Sequence, residues 1–180
     1  RLIIMPSNVM IDIETLGHQK DVPFISSIGA VKFDPLSDTI SDPFFINLNA
    51  TGNGELDYST VKWWMHQMPD AQQAQFKNAV PVKQALRELA AYVEGATYIW
   101  ANGINFDIGL LDKLYKANNM PRPWGFRHMD MRSLWLVCRG LGFNQERLPT
   151  GQEHNALDDA MRQATDVQDM VRFLKGKQSV

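Results

Sequence analysis

Residues 9–14 of the chain read Val-Met-Ile-Asp-Ile-Glu, a regular alternation of two sets of side chains. The odd positions are all aliphatic, which is typical of a half-buried β-strand. Successive side chains of a strand point to opposite faces, so Asp12 and Glu14 lie on one face with their Cα atoms about 6 to 7 Å apart. Both carboxylates can therefore reach one metal ion, and the strand is predicted to begin both the sheet and the candidate site.

Three further strands are predicted along the chain. Residues 24–33 are rich in Ile, Val, Phe and Ser and end at the turn signal Asp34-Pro35, and residues 44–48 read as a short strand. Because the connections are short and contain no obvious helix, we expect these strands to form an antiparallel meander with the first one. Residues 97–101 are predicted to be a buried strand.

Apolar side chains at helical spacing predict the helices that follow the meander. Ser59 or Thr60 is expected to cap the first helix, and Pro69 to stop it. The predicted helices occupy residues 60–68, 82–94, 107–115, 130–139 and 155–174. This order of elements indicates an α/β domain with a mixed sheet covered by helices on both faces. We expect one domain over residues 8–176, preceded at 1–7 by an added or disordered segment.

The composition excludes several classes of protein. Apolar residues make up 44% and charged residues 21% of the 180 residues, which is ordinary for a globular protein. No apolar run approaches the roughly 20 residues that cross a bilayer, and the chain does not start with a signal-peptide pattern. Cys138 is the single cysteine, so an intramolecular disulfide and a thiolate zinc site are excluded. We expect a soluble cytoplasmic protein without a membrane partner.

A net charge of −2 does not by itself favour a nucleic-acid partner. Between residues 112 and 147, however, basic residues outnumber acidic ones by seven to three. Such a stretch can guide a phosphate backbone toward a cluster of carboxylates, and a set of solvated helix and loop charges is the alternative. The basic residues are Lys113, Lys116, Arg122, Arg127, Arg132, Arg139 and Arg147.

Three short stretches of the chain contain acidic side chains, and the third also contains a histidine. They are residues 11–15, residues 102–107 and residues 154–159. Each has an ordinary explanation when taken alone; Asp107, for example, could simply cap a helix or face its dipole. Hydrolysis of a phosphodiester is favoured by two divalent ions about 3.5 to 4 Å apart, and Mg²⁺ and Mn²⁺ prefer oxygen ligands. Together the stretches predict a two-metal phosphodiesterase site.

In the order of these motifs the chain resembles the DEDDh exonucleases, the DnaQ-like group that shortens nucleic acids from the 3′ end. The motifs are Asp-x-Glu, an Asn followed by Phe-Asp, and His-x-Ala-x-x-Asp, and the resemblance spans about residues 9–172. It implies the ribonuclease H-like fold, with a mixed five-stranded sheet of three antiparallel strands followed by two parallel ones. It also implies two Mg²⁺ or Mn²⁺ ions as cofactors.

The same resemblance assigns roles to five side chains. Asp12 would bridge the two ions, Glu14 and Asp159 would complete the shell of the first ion, and Asp107 would hold the second, partly through water. His154 would be the general base that takes a proton from the attacking water, since a neutral imidazole accepts protons near neutral pH.

The adjacent Asp158 is the reserve candidate for the ligand at Asp159. The family spacing selects Asp159, and on a helix Asp158 points about 100° away from it. The resemblance also implies a set of substrate contacts. These are Thr15, Leu16, Asn102, Phe106 and Trp64.

Two of these contacts have alternatives. Leu16 lies where relatives place an apolar wedge against the terminal base, but it could equally be a core residue, whereas Thr15 would meet the terminal 3′-OH. Residues 60–71, with Trp63-Trp64, resemble a helix of the phage exonuclease A (DexA type) and RNase AS groups. Neighbouring tryptophans on a helix cannot face one direction, so we expect one in the core and the other beside the substrate. Aromatic packing of both indoles is the alternative.

These patterns predict a metal-dependent 3′-5′ exonuclease that releases nucleoside 5′-monophosphates from single-stranded 3′ ends. DNA is narrowly favoured over RNA, although no residue decides the sugar. An exoribonuclease of the RNase AS or RNase T type, a proofreading subunit and a non-catalytic nucleic-acid-binding module are the alternatives, and the five intact motif positions argue against the module. Several relatives work as dimers, so the resemblance is compatible with a homodimer, although no residue demands one.

Overall fold

The computed structural model describes residues 7–144 and 154–177. The sheet consists of β1 (Asn8–Thr15), β2 (Ile25–Phe33), β3 (Ile40–Asn47), β4 (Tyr98–Ala101) and β5 (His128–Asp130). The helices are α1 (Tyr58–Trp64), α2 (Pro69–Ala74), α3 (Val82–Tyr92), α4 (Ile104–Ala117), α5 (Met131–Gly140) and α6 (Ala156–Lys177).

The five strands lie side by side in the order β3-β2-β1-β4-β5. β2 pairs antiparallel with β1 and β3, whereas β4 pairs parallel with β1 and β5. The mixed sheet of the predicted α/β fold is therefore confirmed, with β1 at its centre. Because β1 and β4 run in the same direction, the second half of β1 and the loop after β4 lie at the same end of the sheet, toward the carboxyl ends of these two strands.

Each face of the sheet is covered by a different set of helices. Val9, Ile11 and Ile13 of β1 pack in a buried cluster with α3 and α4. Met10 faces the other side, where it packs in a second cluster with α5 and α6. The alternation at residues 9–14 thus directs Asp12 and Glu14, which follow Met10 by two and four residues, toward the face covered by α6.

A glycine opposite the first aspartate lets α6 approach the sheet. Gly29 of β2 is the cross-strand partner of Asp12. A Cβ atom on Gly29 would lie 2.2 Å from the carbonyl carbon of Ala156 and 2.3 Å from the amide nitrogen of Leu157. The absence of a side chain at this position therefore allows the first turn of α6 to lie directly against β2, beside Asp12.

The structure differs from the sequence-based prediction in several elements. β3 begins at residue 40, whereas the sequence predicts a start at residue 44. The prediction misses the first residues of the strand because they are mostly exposed and polar and show no apolar alternation. The cap of α1 is Asp57, whose Oδ1 accepts a 2.8 Å hydrogen bond from the amide of Thr60, rather than Ser59 or Thr60. Pro69 does not only stop a helix but begins α2.

The fifth strand is three residues long, too short to show a pattern in the sequence. The predicted segment 1–7 lies, except for Ser7, outside the described residues. Within the described part of the chain no helix is both long and apolar enough to cross a membrane.

Candidate active site

Three of the predicted acidic residues converge where α6 meets β1. Asp12 and Glu14 extend from the same face of β1, and Asp159 comes from the first turn of α6. One carboxylate oxygen from each of these residues lies within 4.8 Å of the other two. Such spacing is what a single cation with oxygen ligands requires.

The fourth predicted acid, Asp107, reaches the same place from α4. It lies in the first turn of that helix and is only 3% exposed. Its Oδ1 accepts a 3.3 Å hydrogen bond from the amide of Ile13, in the strand that carries Asp12 and Glu14. The four acids line one cleft of about 410 Å³, together with Ile13, Asn102, Phe106, Arg132, His154, Arg162 and Gln163. We call it the acidic cleft.

The start of α4 depends on a glycine and on Asp130. Gly103, the residue before the helix, has a φ of 108°, a backbone conformation that residues other than glycine rarely adopt. The Oδ2 atom of Asp130 accepts a 3.0 Å hydrogen bond from the amide of Ile104, while its Oδ1 caps α5 through Ser133. Asp130 thus has the capping role that an acid at a helix start usually has, and it joins two helices that border the acidic cleft.

The carboxylates in the acidic cleft are buried and repel one another. Burial, and then the charges of Asp107, Glu14 and Asp159, raise the pKa of Asp12 well above its ordinary value. Burial and the neighbouring Asp159 and Asp107 raise the pKa of Glu14 to about 8, and burial raises that of Asp107 to about 7. Like charges held this close and shielded from water fit divalent cations, which would replace the missing counter-charge.

Neighbouring side chains offset part of the negative charge of the four acids. Gln163 Nε2 donates a 2.7 Å hydrogen bond to Asp12 Oδ1, and Arg162 forms an ion pair with Asp159. Arg132 lies close enough to Asp107 to lower its pKa against the effect of burial. The sequence-based interpretation named Arg132 only as a member of the basic stretch, and it did not single out Arg162 and Gln163. Arg162 and Gln163 follow Asp159 by three and four residues, so helical spacing was a signal that could have found them.

His154 lines the acidic cleft from a turn just before α6. Its φ is 62°, in the left-handed region. Its ring makes T-shaped contacts with the ring of Trp63, at a centroid distance of 4.7 Å, and with that of Trp64, at 6.0 Å. Its carbonyl oxygen accepts a 3.2 Å hydrogen bond from the buried side chain of Gln75. The imidazole and the four acids thus face one cleft, as the sequence motifs predict.

The tryptophan pair divides as expected into one core and one exposed residue. Trp64, the member assigned to the substrate, is 5% exposed and donates a 2.9 Å hydrogen bond from Nε1 to the carbonyl of Thr15. Trp63 is 45% exposed. Leu16 is buried against Phe24 and Trp64, which is the core alternative for that residue. Trp63 is therefore the better placed of the two indoles for contact with a substrate.

A second cleft of about 480 Å³ adjoins the acidic cleft and shares Ile13, Glu14 and Phe106 with it. We call it the aromatic cleft. Its other lining residues are Thr15, His18, Gln19, Ser59, Thr60, Trp63 and Trp64. Thr15 and Phe106, both predicted substrate contacts, lie here, whereas Asn102 lines the acidic cleft with a buried Oδ1 that has no hydrogen-bond partner among the described residues.

Arg132 is the member of the basic stretch that lines the acidic cleft among the residues the structure describes. Lys113 pairs with Asp21 at 3.0 Å and Arg122 with Asp112 at 2.9 Å, as ordinary surface charges do. Arg147 lies outside the described residues. The group of three carboxylates within 4.8 Å of one another includes Asp159 and not Asp158. This agrees with the spacing of the motif.

Comparison with known proteins places this arrangement among nucleases. The family model described as Rv2179c-like, a 3′-5′ exoribonuclease Rv2179c-like domain, matches residues 7–171. Among curated proteins none is significantly similar in sequence. The expected closeness to the phage exonuclease A and RNase AS groups stays a prediction.

Solved structures share the fold at low sequence identity. The nuclease domain of 3′hExo, a DEDDh family member bound to rAMP, is 16% identical with a TM-score of 0.68, and the match covers 94% of each chain. Cell-death related nuclease 4 is 17% identical with a TM-score of 0.70, over 93% of this chain and 64% of that one. Exonuclease I of E. coli, solved with a dT13 oligonucleotide, is 16% identical with a TM-score of 0.70, and the match covers 97% of this chain but only 42% of that one.

Proposed function

This chain belongs to the Rv2179c-like 3′-5′ exoribonuclease family, and from that membership we propose that it trims single-stranded RNA from the 3′ end. In the proposed reaction each turnover releases one nucleoside 5′-monophosphate. The convergence of Asp12, Glu14 and Asp159 within 4.8 Å is the single observation that carries the proposal. A binding module would gain nothing from holding these carboxylates together at the cost of their mutual repulsion.

We propose that the four acids hold two divalent ions, Mg²⁺ or Mn²⁺. Asp12 is the candidate for a ligand of both ions, as the family resemblance implies, and it lines the acidic cleft together with the other three acids. Glu14 and Asp159 would complete one ion's ligands, and Asp107 would hold the other from α4. When bound, the ions would stabilise the negative charge that develops on the attacking and leaving oxygens.

His154 is the proposed general base. Its side chain lines the acidic cleft, and it would take the proton of the water that attacks the terminal phosphorus. Gln75 and Trp63 hold the turn and the ring in place through the contacts described above. Arg132 supplies a positive charge at the edge of the cleft, where it can contact a phosphate of the strand.

RNA is proposed as the substrate because the matching family is described as exoribonucleases. The narrow preference for DNA drawn from the sequence stays as the second candidate. It has one observation in its favour, the similarity in fold to E. coli Exonuclease I, which was solved with a DNA oligonucleotide. The nuclease domain of 3′hExo was solved with rAMP, and another solved structure of the same fold concerns the recognition of a histone mRNA stem-loop by a 3′-exonuclease. Both favour RNA.

Matched oligonucleotides test the proposal. RNA and DNA of the same sequence, each labelled at the 5′ end, are incubated side by side with purified protein and Mg²⁺ or Mn²⁺. We expect a ladder of shortened RNA that is absent with chelator and with Asp12→Asn. Faster shortening of DNA would support the second candidate, and tight binding without shortening under both metals would support a non-catalytic module.

A homodimer and a cytoplasmic location stay predictions. Light scattering of the purified protein measures the first, and imaging of a tagged chain in its own cells measures the second.

A further inference from the structure

A third cleft, of about 300 Å³, lies at the amino ends of β4 and β5. We call it the β5 cleft, and its lining includes Thr97, Ile99, Trp124, Phe126, Arg127 and His128. None of its lining residues lines the acidic or the aromatic cleft. β4 and β5 run parallel, and the acidic cleft is lined by Asn102, directly after β4, and by Arg132, two residues after β5. The β5 cleft and the acidic cleft therefore lie at opposite ends of the same pair of strands.

Two exposed side chains of the β5 cleft are suited to a nucleotide. The side chain of Phe126 is 89% exposed, more than any other large apolar side chain that the structure describes. An exposed ring of this kind can stack on a planar base without regard to its sequence. Arg127 is also exposed and forms no ion pair with a carboxylate of the described residues, so its guanidinium is available to a phosphate.

The imidazole of His128 carries a buried nitrogen, Nε2, that has no hydrogen-bond partner among the described residues. Buried polar atoms are hydrogen-bonded with few exceptions, and each exception requires an explanation. A ligand in the β5 cleft explains this one, because a ring nitrogen can donate to or accept from a polar group of a base or a sugar. The ligand that suits all three side chains has a planar ring, a negative charge and polar edge atoms, which are the properties of a nucleotide.

The surface between the β5 cleft and the acidic cleft follows one edge of the sheet. β5 is the last strand in the order of the sheet, so no strand of the described sheet covers its outer side. Ile99 in the one cleft and Asn102 in the other are three positions apart, which corresponds to roughly 10 Å along a strand. A single strand of nucleic acid a few nucleotides long can span this distance. Arg127 and Arg132, two members of the basic stretch, lie at its two ends and can attract the phosphates.

We propose that the β5 cleft binds a nucleotide of the substrate strand upstream of the bond that is cut. Phe126 stacks on the base, Arg127 pairs with the phosphate, and Nε2 of His128 forms a hydrogen bond with a polar group of the base or sugar. This inference rests on the proposed function and adds a preference for length. A strand that reaches from the acidic cleft to the β5 cleft is bound more tightly than a shorter one.

Strands of increasing length measure this preference. Unlabelled single-stranded RNA of one repeated base, from two to about ten nucleotides long, competes with a labelled strand for Asp12→Asn in fluorescence anisotropy. This variant is expected to bind without cutting. We expect the affinity to rise about five- to tenfold in one step when the strand reaches the β5 cleft, the effect of one stacked base. Equal affinities at every length, or a steady rise without a step, would overturn the inference.

Variants of the β5 cleft, each made in the Asp12→Asn protein, test the assignment of the step. Phe126→Ala and Arg127→Ala should each reduce the step and leave the affinity for the dinucleotide unchanged. His128→Phe keeps a ring but removes the buried atom without a partner, so it should reduce the step without lowering the melting temperature. Phe76→Ala and Arg87→Ala are the matched controls, because both residues are exposed and line none of the three clefts. An unchanged step in Phe126→Ala and Arg127→Ala would contradict the proposal.

Cross-linking locates the upstream nucleotide directly. A single photoreactive uridine is placed at successive positions of a long strand, irradiated with Asp12→Asn, and the linked peptides are identified by mass spectrometry. We expect residues 124–128 to be labelled only from a position a few nucleotides upstream of the 3′ end. Labelling of these residues from the 3′-terminal position, or from no position, would overturn the inference.

Activity separates failure of this inference from failure of the proposed function. If the unaltered protein shortens RNA but neither the step nor the cross-link is found, the β5 cleft has no part in binding the strand and the proposed function stands. If the step and the cross-link are found but the unaltered protein shortens no oligonucleotide, the proposed function is wrong and the β5 cleft stands as a nucleotide-binding site.

Discussion

Gly29 lies directly across the β1–β2 ladder from Asp12, and the backbone of Ala156 occupies the space that a side chain at Gly29 would fill. This contact sets the distance between β1 and the first turn of α6. Since Asp12 comes from the strand and Asp159 from the helix, the same contact controls how close the two carboxylates lie. Gly29, a residue without a side chain, thereby shapes the proposed metal site.

Gly29→Ala should therefore damage the site from a distance. Its Cβ would lie 2.2 Å from backbone atoms, so α6 must move, and overpacking of this kind costs about 1 to 3 kcal/mol of stability. We expect a lower melting temperature, weaker metal binding by calorimetry and a loss of exonuclease rate. Gly109→Ala is the control, because its Cβ would meet only one atom at an ordinary 3.8 Å, and it should keep the activity. Full activity of Gly29→Ala would contradict the role of this contact.

The metal-free protein should lose stability as the pH rises. The pKa of Glu14 is raised from 4.5 to about 8 and that of Asp107 from 3.8 to about 7. The folded state thus binds protons more tightly than the unfolded chain in this range, and the stability gained from these protons is lost as the pH rises through the two folded-state pKa values. Melting temperatures in chelator should fall between pH 5 and pH 8, and Glu14→Gln should flatten the fall.

Divalent metal should reverse this trend, since the ligands bind it in their deprotonated form. Mg²⁺ or Mn²⁺ should raise the melting temperature more at pH 8 than at pH 5. A metal-free protein whose melting temperature rises over that window would show that the carboxylates do not repel one another as described.

His154→Ala should lower kcat by about 10² to 10⁴, the usual contribution of a general base. The stabilisation by metal should not change, because the variant keeps the four carboxylates. Rapid-quench measurements of the chemical step compare the two proteins, and an unchanged rate in the variant would reject the role of His154.

Arg132→Ala should weaken substrate binding. The guanidinium lies at the acidic cleft, and loss of a contact with a phosphate should raise KM about five- to tenfold and reduce the dependence of binding on salt. Arg122→Ala provides the comparison, because that arginine is paired with Asp112 and does not line the cleft. Equal effects of the two changes on KM would mean that Arg132 acts only through the general charge of the surface.

Local patterns predicted the parts of the site that lie within single elements. The alternation at residues 9–14 places Asp12 and Glu14 on one face, and the motif spacing selects Asp159 at the start of a helix; both agree with the structure. The three-residue β5 and the polar start of β3 escaped prediction because neither has a run of alternating apolar residues.

Tertiary contacts account for the rest of the site, and no local pattern encodes them. Gln75 reaches His154 across 79 positions of the chain, and His18 reaches Thr60 across 42. Whether Trp63 or Trp64 is buried depends on the hydrogen bond to the carbonyl of Thr15, which becomes visible only when α1 is packed against β1.

The central claim is that Asp12, Glu14, Asp107, Asp159 and His154 form one metal-dependent site for trimming 3′ ends. Shortening of a 5′-labelled single-stranded RNA by the unaltered protein, Asp159→Asn and Asp158→Asn in Mg²⁺ tests it most directly. We predict a stepwise ladder with the unaltered protein and with Asp158→Asn, and no shortening with Asp159→Asn. Equal ladders from all three proteins, or none from the unaltered protein in either Mg²⁺ or Mn²⁺, would contradict the claim.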